Sequence, residues 1–152
     1  KLDKNKYPDL AWNLIEKPPV RIALASTINR IQIHDTKEYK DYIRAHKYDE
    51  HEFHRAQVII SLGLNKNPKD VPYLQEMGEG NNNYVAQSAI TALALMHHVL
   101  ARDAMVTIWG KYANDPRGDL ILEVLKKAYD WVPYARKKEE TNEQDNKASA
   151  VE

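Results

Sequence analysis

Arg55-Ala56-Gln57-Val58-Ile59-Ile60-Ser61-Leu62-Gly63-Leu64 returns 31 residues later as Ala86-Gln87-Ser88-Ala89-Ile90-Thr91-Ala92-Leu93-Ala94-Leu95. At that offset Val58, Ile59, Leu62 and Leu64 fall on Ala89, Ile90, Leu93 and Leu95, and downstream Leu74 and Met77 fall on Met105 and Ile108. Apolar residues three and four apart mark the buried stripe of a helix. A period in the thirties carrying such stripes marks stacked helical hairpins, each of which buries its apolar face against the next. Working outward, an offset of 34 lays Leu24, Ile28, Tyr39 and Ile43 on Val58, Leu62, Tyr73 and Met77. The expected fold is all-α: a short right-handed α-solenoid of about three hairpins plus a closing helix.

The helix boundaries follow from local chemistry. Tyr7 to Glu16 is expected to form a short amphipathic helix, stopped at Lys17-Pro18-Pro19 because proline lacks the amide donor and crowds the preceding turn. Val20 to Ile33 keeps helical spacing, and Asp35-Thr36-Lys37-Glu38 has the form of a capping box opening the next helix. Asp49-Glu50-His51-Glu52 offers a second cap. Asn67-Pro68-Lys69-Asp70 and Asp115-Pro116-Arg117-Gly118-Asp119 each place a capping side chain before a proline, which suits the first helical position. Gly78 and Gly80 are expected to stop one helix, His97-His98 to fill a turn, and Pro133 to end the last helix. Residues 1–134 therefore form one helical domain. The tail at 135–152 is almost devoid of apolar side chains and is expected to be disordered, since it has nothing to offset its ordering entropy.

Composition narrows the partners. Lys plus Arg and Asp plus Glu each number 22, so formal charge balances at zero and no global basic field favours nucleic acid. No apolar run approaches the roughly 20 residues of a membrane span. Cysteine is absent, which removes thiol chemistry and Cys-ligated zinc while fitting either redox compartment. The chain opens on Lys1 rather than Met; removal of an export signal or anchor and removal of another domain both account for this, and the reading leans to export, with a cytoplasmic location as the alternative.

Arg55-Ala56 through Leu62-Gly63, then Asn67-Pro68, then Val71-Pro72-Tyr73-Leu74 resemble the HEAT repeat, in particular its short bacterial form. The unit from Val85 to Trp109 matches in its first helix and departs in its turn, where His97-His98-Val99 stands in place of Asn-Pro. The hairpin from Val20 to His46 lacks the Leu-Gly. The resemblance implies a scaffold whose second helices line a concave binding face, with no cofactor and no particular ligand.

On that footing the expected partner-binding residues are Tyr39, Tyr42, Tyr73, Trp109 and Tyr112, all on second helices. Aromatics offer large, stiff contact area with a polar tip; the same helices also need an inward stripe, so a core role competes for each. The expected function is a non-enzymatic protein-interaction or assembly module, its partner a protein. Bare end faces of so short a stack leave room for a homodimer or for membership of an envelope complex. No catalytic residue stands out. Ser26, Ser61 and Ser88 lie inside predicted helices without a glycine elbow, and Gly78-Glu79-Gly80 lacks the Lys of a phosphate loop. The competing class is a metal-dependent or lyase-like enzyme using His51 and His54, three apart on a helix, although the His-Glu-x-x-His spacing is missing.

Overall fold

The computed structural model describes residues 36–134 together with Ala23, Ser26, Thr27 and Asn29. The predicted helix at 7–16, most of the one at 20–33 and the tail at 135–152 lie outside the described residues. Within them the chain is all-helical: α1 (Lys37–His46), α2 (Glu52–Asn65), a single 3-10 turn (Pro68–Asp70) running into α3 (Val71–Glu79), α4 (Asn83–Met96), α5 (Val99–Lys111) and α6 (Pro116–Tyr129). No described residue is in a strand.

The helix starts at Asn67 and Asp115 are made by the expected side chains, and Asn82 makes a third in the same way. Asn67 Oδ1 accepts from Lys69 N at 3.1 Å, Asn82 Oδ1 from Val85 N at 3.0 Å and Asp115 Oδ1 from Arg117 N at 2.8 Å. Each satisfies an amide that the first helical turn leaves without a partner. Two starts differ in detail. Thr36, rather than Asp35, is the residue that caps α1. His51 occupies the cap position of α2 without a side-chain bond, while Asp49 Oδ1 accepts from His51 N at 2.8 Å.

The helix ends carry a repetition that the sequence conceals. α2, α4 and α6 each close on a left-handed residue, Lys66 (φ 53°), His97 (φ 47°) and Asp130 (φ 50°). Left-handed caps usually call for glycine, and none stands at these positions. After Lys66 comes the cap Asn67; after His97 comes His98, whose Nδ1 accepts from Leu100 N at 3.1 Å as Asn67 Oδ1 does from Lys69 N. The His97-His98 turn thus performs the same task as Lys66-Asn67, 31 positions earlier. Asp130 ends α6, so Pro133 lies beyond the helix rather than stopping it. Gly80 ends α3 in extended conformation, whereas Gly78 is inside the helix and buried.

Contacts run between successive helices and between alternate ones. α2 packs along α4 more extensively than any other pair, α4 also meets α6, and α3 meets α5. Each of α3 and α5 packs in addition on α4, and α5 on α6. The core is drawn from every helix, including Ile43, Val58, Ile59, Leu74, Ile90, Leu93, Met105, Ile108, Ile121 and Leu125, all at 1% exposure or less. The aligned stripes at 58, 59 and 62 and at 89, 90 and 93 are buried throughout. Gly63 explains the Leu-Gly signature: a Cβ there would lie 2.5 Å from Ala92 Cα, so α2 and α4 approach backbone to backbone.

Candidate functional site

Burial takes most of the expected anchors out of reach of a partner. Tyr39, Tyr42 and Tyr73 are 6%, 7% and 5% exposed, and their hydroxyls are engaged inside the protein. Tyr39 Oη lies 3.1 Å from the buried Ser61 hydroxyl; desolvation raises its pKa, partly opposed by the Ser61 bond. Tyr73 donates to the carbonyl of Lys47 at the end of α1. Burial pushes the Tyr73 hydroxyl well above the ordinary tyrosine range, with nearby Arg55 pulling the other way. Trp109 and Tyr112 are half-buried. Trp109 meets Trp131 edge-on at 5.7 Å. Tyr112 donates to Glu79 O at 2.8 Å while the Arg117 guanidinium sits 4.4 Å from its ring centre. Tyr73 and Tyr112 therefore pin their helices to the end of an earlier one. The physical reason is the inward stripe: a helix packed on two neighbours has little aromatic surface left to offer.

His51 and His54 stand in different surroundings, His51 partly exposed and His54 enclosed. His54 is fully buried, with Tyr42 Oη 2.6 Å from Nε2 and Asp49 Oδ2 3.0 Å from Nδ1. The carboxylate favours the proton on Nδ1, leaving Nε2 to accept from the Tyr42 hydroxyl. Nε2 is thereby engaged by Tyr42, and Nδ1 lies against the Asp49 carboxylate. His51 lies against Phe53, ring centres 5.8 Å apart. Among the described residues no three His, Asp or Glu side chains gather as metal ligands. Ser61, one of the serines in predicted helices, is likewise buried and engaged, its hydroxyl 2.6 Å from Asn29 Oδ1 and 3.0 Å from Gln57 O.

The exposed aromatics are others. Phe53 and Tyr84 are each 44% exposed, Tyr48 62%. Phe53 and Tyr84 occupy the first turns of α2 and α4, 31 residues apart, and their rings meet edge-to-face at 4.9 Å and 76°. Edge-to-face is the arrangement that ring quadrupoles favour. Asn82, the cap of α4, also donates from Nδ2 to the Glu52 carboxylate at the start of α2, locking the two helix starts together. Tyr48, on the turn between α1 and α2, stands edge-on to Tyr73 at 5.2 Å.

Two adjoining clefts open along this edge. One, of about 240 Å³, is lined by Tyr48, Arg55, Glu76, Met77, Asn82 and Val85 among others. The second, of about 310 Å³, is lined by Glu50, His51, Glu52, Phe53, Arg55 and Asn82. Arg55 and Asn82 form their shared wall. Arg55 is turned inward, donating from Nη1 to Asp49 O at 2.9 Å, while Glu50 and Glu76 are exposed on the rim. The edge is thus aromatic with an acidic border. Its positions were visible in the 31-residue register, but helix-first-turn residues lie off the buried stripe and gave no core signal.

No protein-family model, curated protein or solved structure matches this chain. Among the described residues no helix is long and apolar enough to cross a membrane.

Proposed function

We propose that the chain is a non-enzymatic protein-interaction or assembly module, built as a short right-handed α-solenoid of HEAT-like hairpins. Its partner is a protein segment carrying Lys or Arg beside an apolar residue, received on the edge formed by Tyr48, Phe53 and Tyr84. The observation that carries the reading is the Phe53–Tyr84 pair: two half-exposed rings from equivalent positions of the sequence repeat, meeting edge-to-face at 4.9 Å. A cation seated on such rings gains from the π face, and more when water is excluded. Glu50, Glu52 and Glu76 supply the complementary charge around it.

The repeated left-handed caps at Lys66, His97 and Asp130 support the solenoid, as does the packing of α2 on α4 and of α4 on α6. Trp109 and Tyr112 remain half-exposed and form a secondary part of the surface; Tyr39, Tyr42 and Tyr73 serve the core.

Selection of displayed random peptides on the full chain tests the partner's chemistry. Enrichment of peptides with Lys or Arg next to an apolar residue is expected. Enrichment of acidic peptides, or of none, would falsify the reading.

A further inference from the structure

α2, α4 and α6 run side by side in one direction. At their starts Glu52 accepts from Asn82, and Arg117 Nη2 donates to Asn83 Oδ1 at 2.7 Å. Further along, Gly63 lies against the Ala92 backbone, and Tyr129 donates to Leu93 O at 2.5 Å while its ring faces His97 at 6.3 Å. The three left-handed turns at Lys66, His97 and Asp130 therefore stand in a row, on the edge opposite Phe53 and Tyr84. Of the eight large apolar side chains exposed among the described residues, four follow these turns: Val99 at 52%, Leu100 at 49%, Val132 at 62% and Tyr134 at 96%. None of the four lines a cleft described for the molecule. They form a line of tips across two helix spacings, roughly 20 Å long, and not a groove.

Lysines flank the tips. Lys66 and Lys69 are exposed and enter no ion pair with a described residue. Lys126 and Lys127 are exposed in the last turn of α6, Lys127 being paired with Glu123 at 2.6 Å. Arg102 pairs with Asp103 at 2.7 Å. Against the remaining lysines stand Asp130, exposed, and Asp70, buried, so base is in excess at the surface. Helix ends and helix starts alternate along the row, and their opposite dipoles largely offset each other. Exposed apolar side chains gathered in one place mark a contact with another surface. Separate apolar tips between lysines suit a yielding anionic surface: the tips enter its interfacial layer, where tyrosine is at home, and the ammonium groups stay among the head groups. We propose that this edge docks on the surface of an anionic lipid bilayer without crossing it. The edge lies opposite the aromatic one and does not depend on the interaction reading above.

Flotation of the full chain with vesicles of mixed phosphatidylcholine and phosphatidylglycerol, and with vesicles of phosphatidylcholine alone, tests this. Binding to the mixed vesicles is expected, at least about tenfold tighter than to phosphatidylcholine alone. Lys66→Gln/Lys69→Gln removes charge and Val99→Ser/Leu100→Ser removes apolar tips, all at exposed positions. Each double variant is expected to weaken binding about tenfold or more in a protein whose helicity is unchanged. The folded Phe53→Ala/Tyr84→Ala protein is expected to bind the vesicles as wild type does. Absence of binding to the mixed vesicles overturns the proposal and leaves this edge to a protein partner. Equal binding to both kinds of vesicle overturns it as well. So does full binding by either folded turn variant, or loss of binding in the folded Phe53→Ala/Tyr84→Ala protein.

Discussion

Tyr73 shows how a residue suited to a surface is used inside. Its ring sits in the core, its hydroxyl reaches the Lys47 carbonyl, and the Lys47 ammonium lies 4.7 Å from the ring centre. Tyr112 repeats the bond to a backbone carbonyl further along the chain with Glu79 O, and Tyr129 does so with Leu93 O at 2.5 Å. Replacing Tyr73 by Phe removes one such bond and is expected to cost about 1 kcal/mol in urea unfolding at neutral pH. The raised pKa adds a pH signature. A group whose folded pKa exceeds its unfolded value of 10.0 contributes stability below that pH and loses it as the pH climbs toward the folded value. The difference between wild type and Tyr73→Phe is therefore expected to shrink by about pH 11. A variant as stable as wild type at every pH would mean that the hydroxyl makes no bond in solution.

Helix pairs test the packing more sharply, because two glycines inside helices are expected to respond with opposite sign. Gly110 in α5 has open space where a Cβ would stand, with nothing within 4 Å, so Gly110→Ala is expected to gain up to about 1 kcal/mol from helix propensity alone. Gly63 in α2 enjoys the same propensity gain, but its added methyl would meet the Ala92 backbone at 2.5 Å. Gly63→Ala is expected to lose about 1–3 kcal/mol by forcing α2 and α4 apart. Thermal unfolding of both variants decides this, and stabilisation by both would contradict the close α2–α4 approach. The apolar stripes of these helices were legible in the sequence because burial imposes a 3.6-residue period on whatever occupies them. Most caps were legible because Asn and Asp before a helix have a recognisable job. The ends were not: Lys66, His97 and Asp130 adopt a conformation for which no side chain advertises itself, and His98 replaces Asn67 with a different atom in the same role.

The site was less legible than the fold for a reason that belongs to the whole molecule. A repeat seen in sequence shows which positions are equivalent, not which of their side chains remain outside once neighbouring helices have packed. For the second-helix tyrosines a surface role and a core role competed in the sequence, and packing enclosed three of them; Phe53 and Tyr84 stayed outside because they stand at the helix starts, off the buried stripe. With formal charge balanced at zero, the recognition proposed for that edge rests on local chemistry rather than on a long-range field. The most direct test is the affinity of a selected Lys- or Arg-bearing peptide for wild type and for the folded Phe53→Ala/Tyr84→Ala and Trp109→Ala proteins. Loss of about 30-fold or more in the double variant, the scale of about 2 kcal/mol for an interface hot spot, with a much smaller change in Trp109→Ala, is the expected result. Undiminished binding by Phe53→Ala/Tyr84→Ala would contradict the account and place the docking surface elsewhere on the molecule.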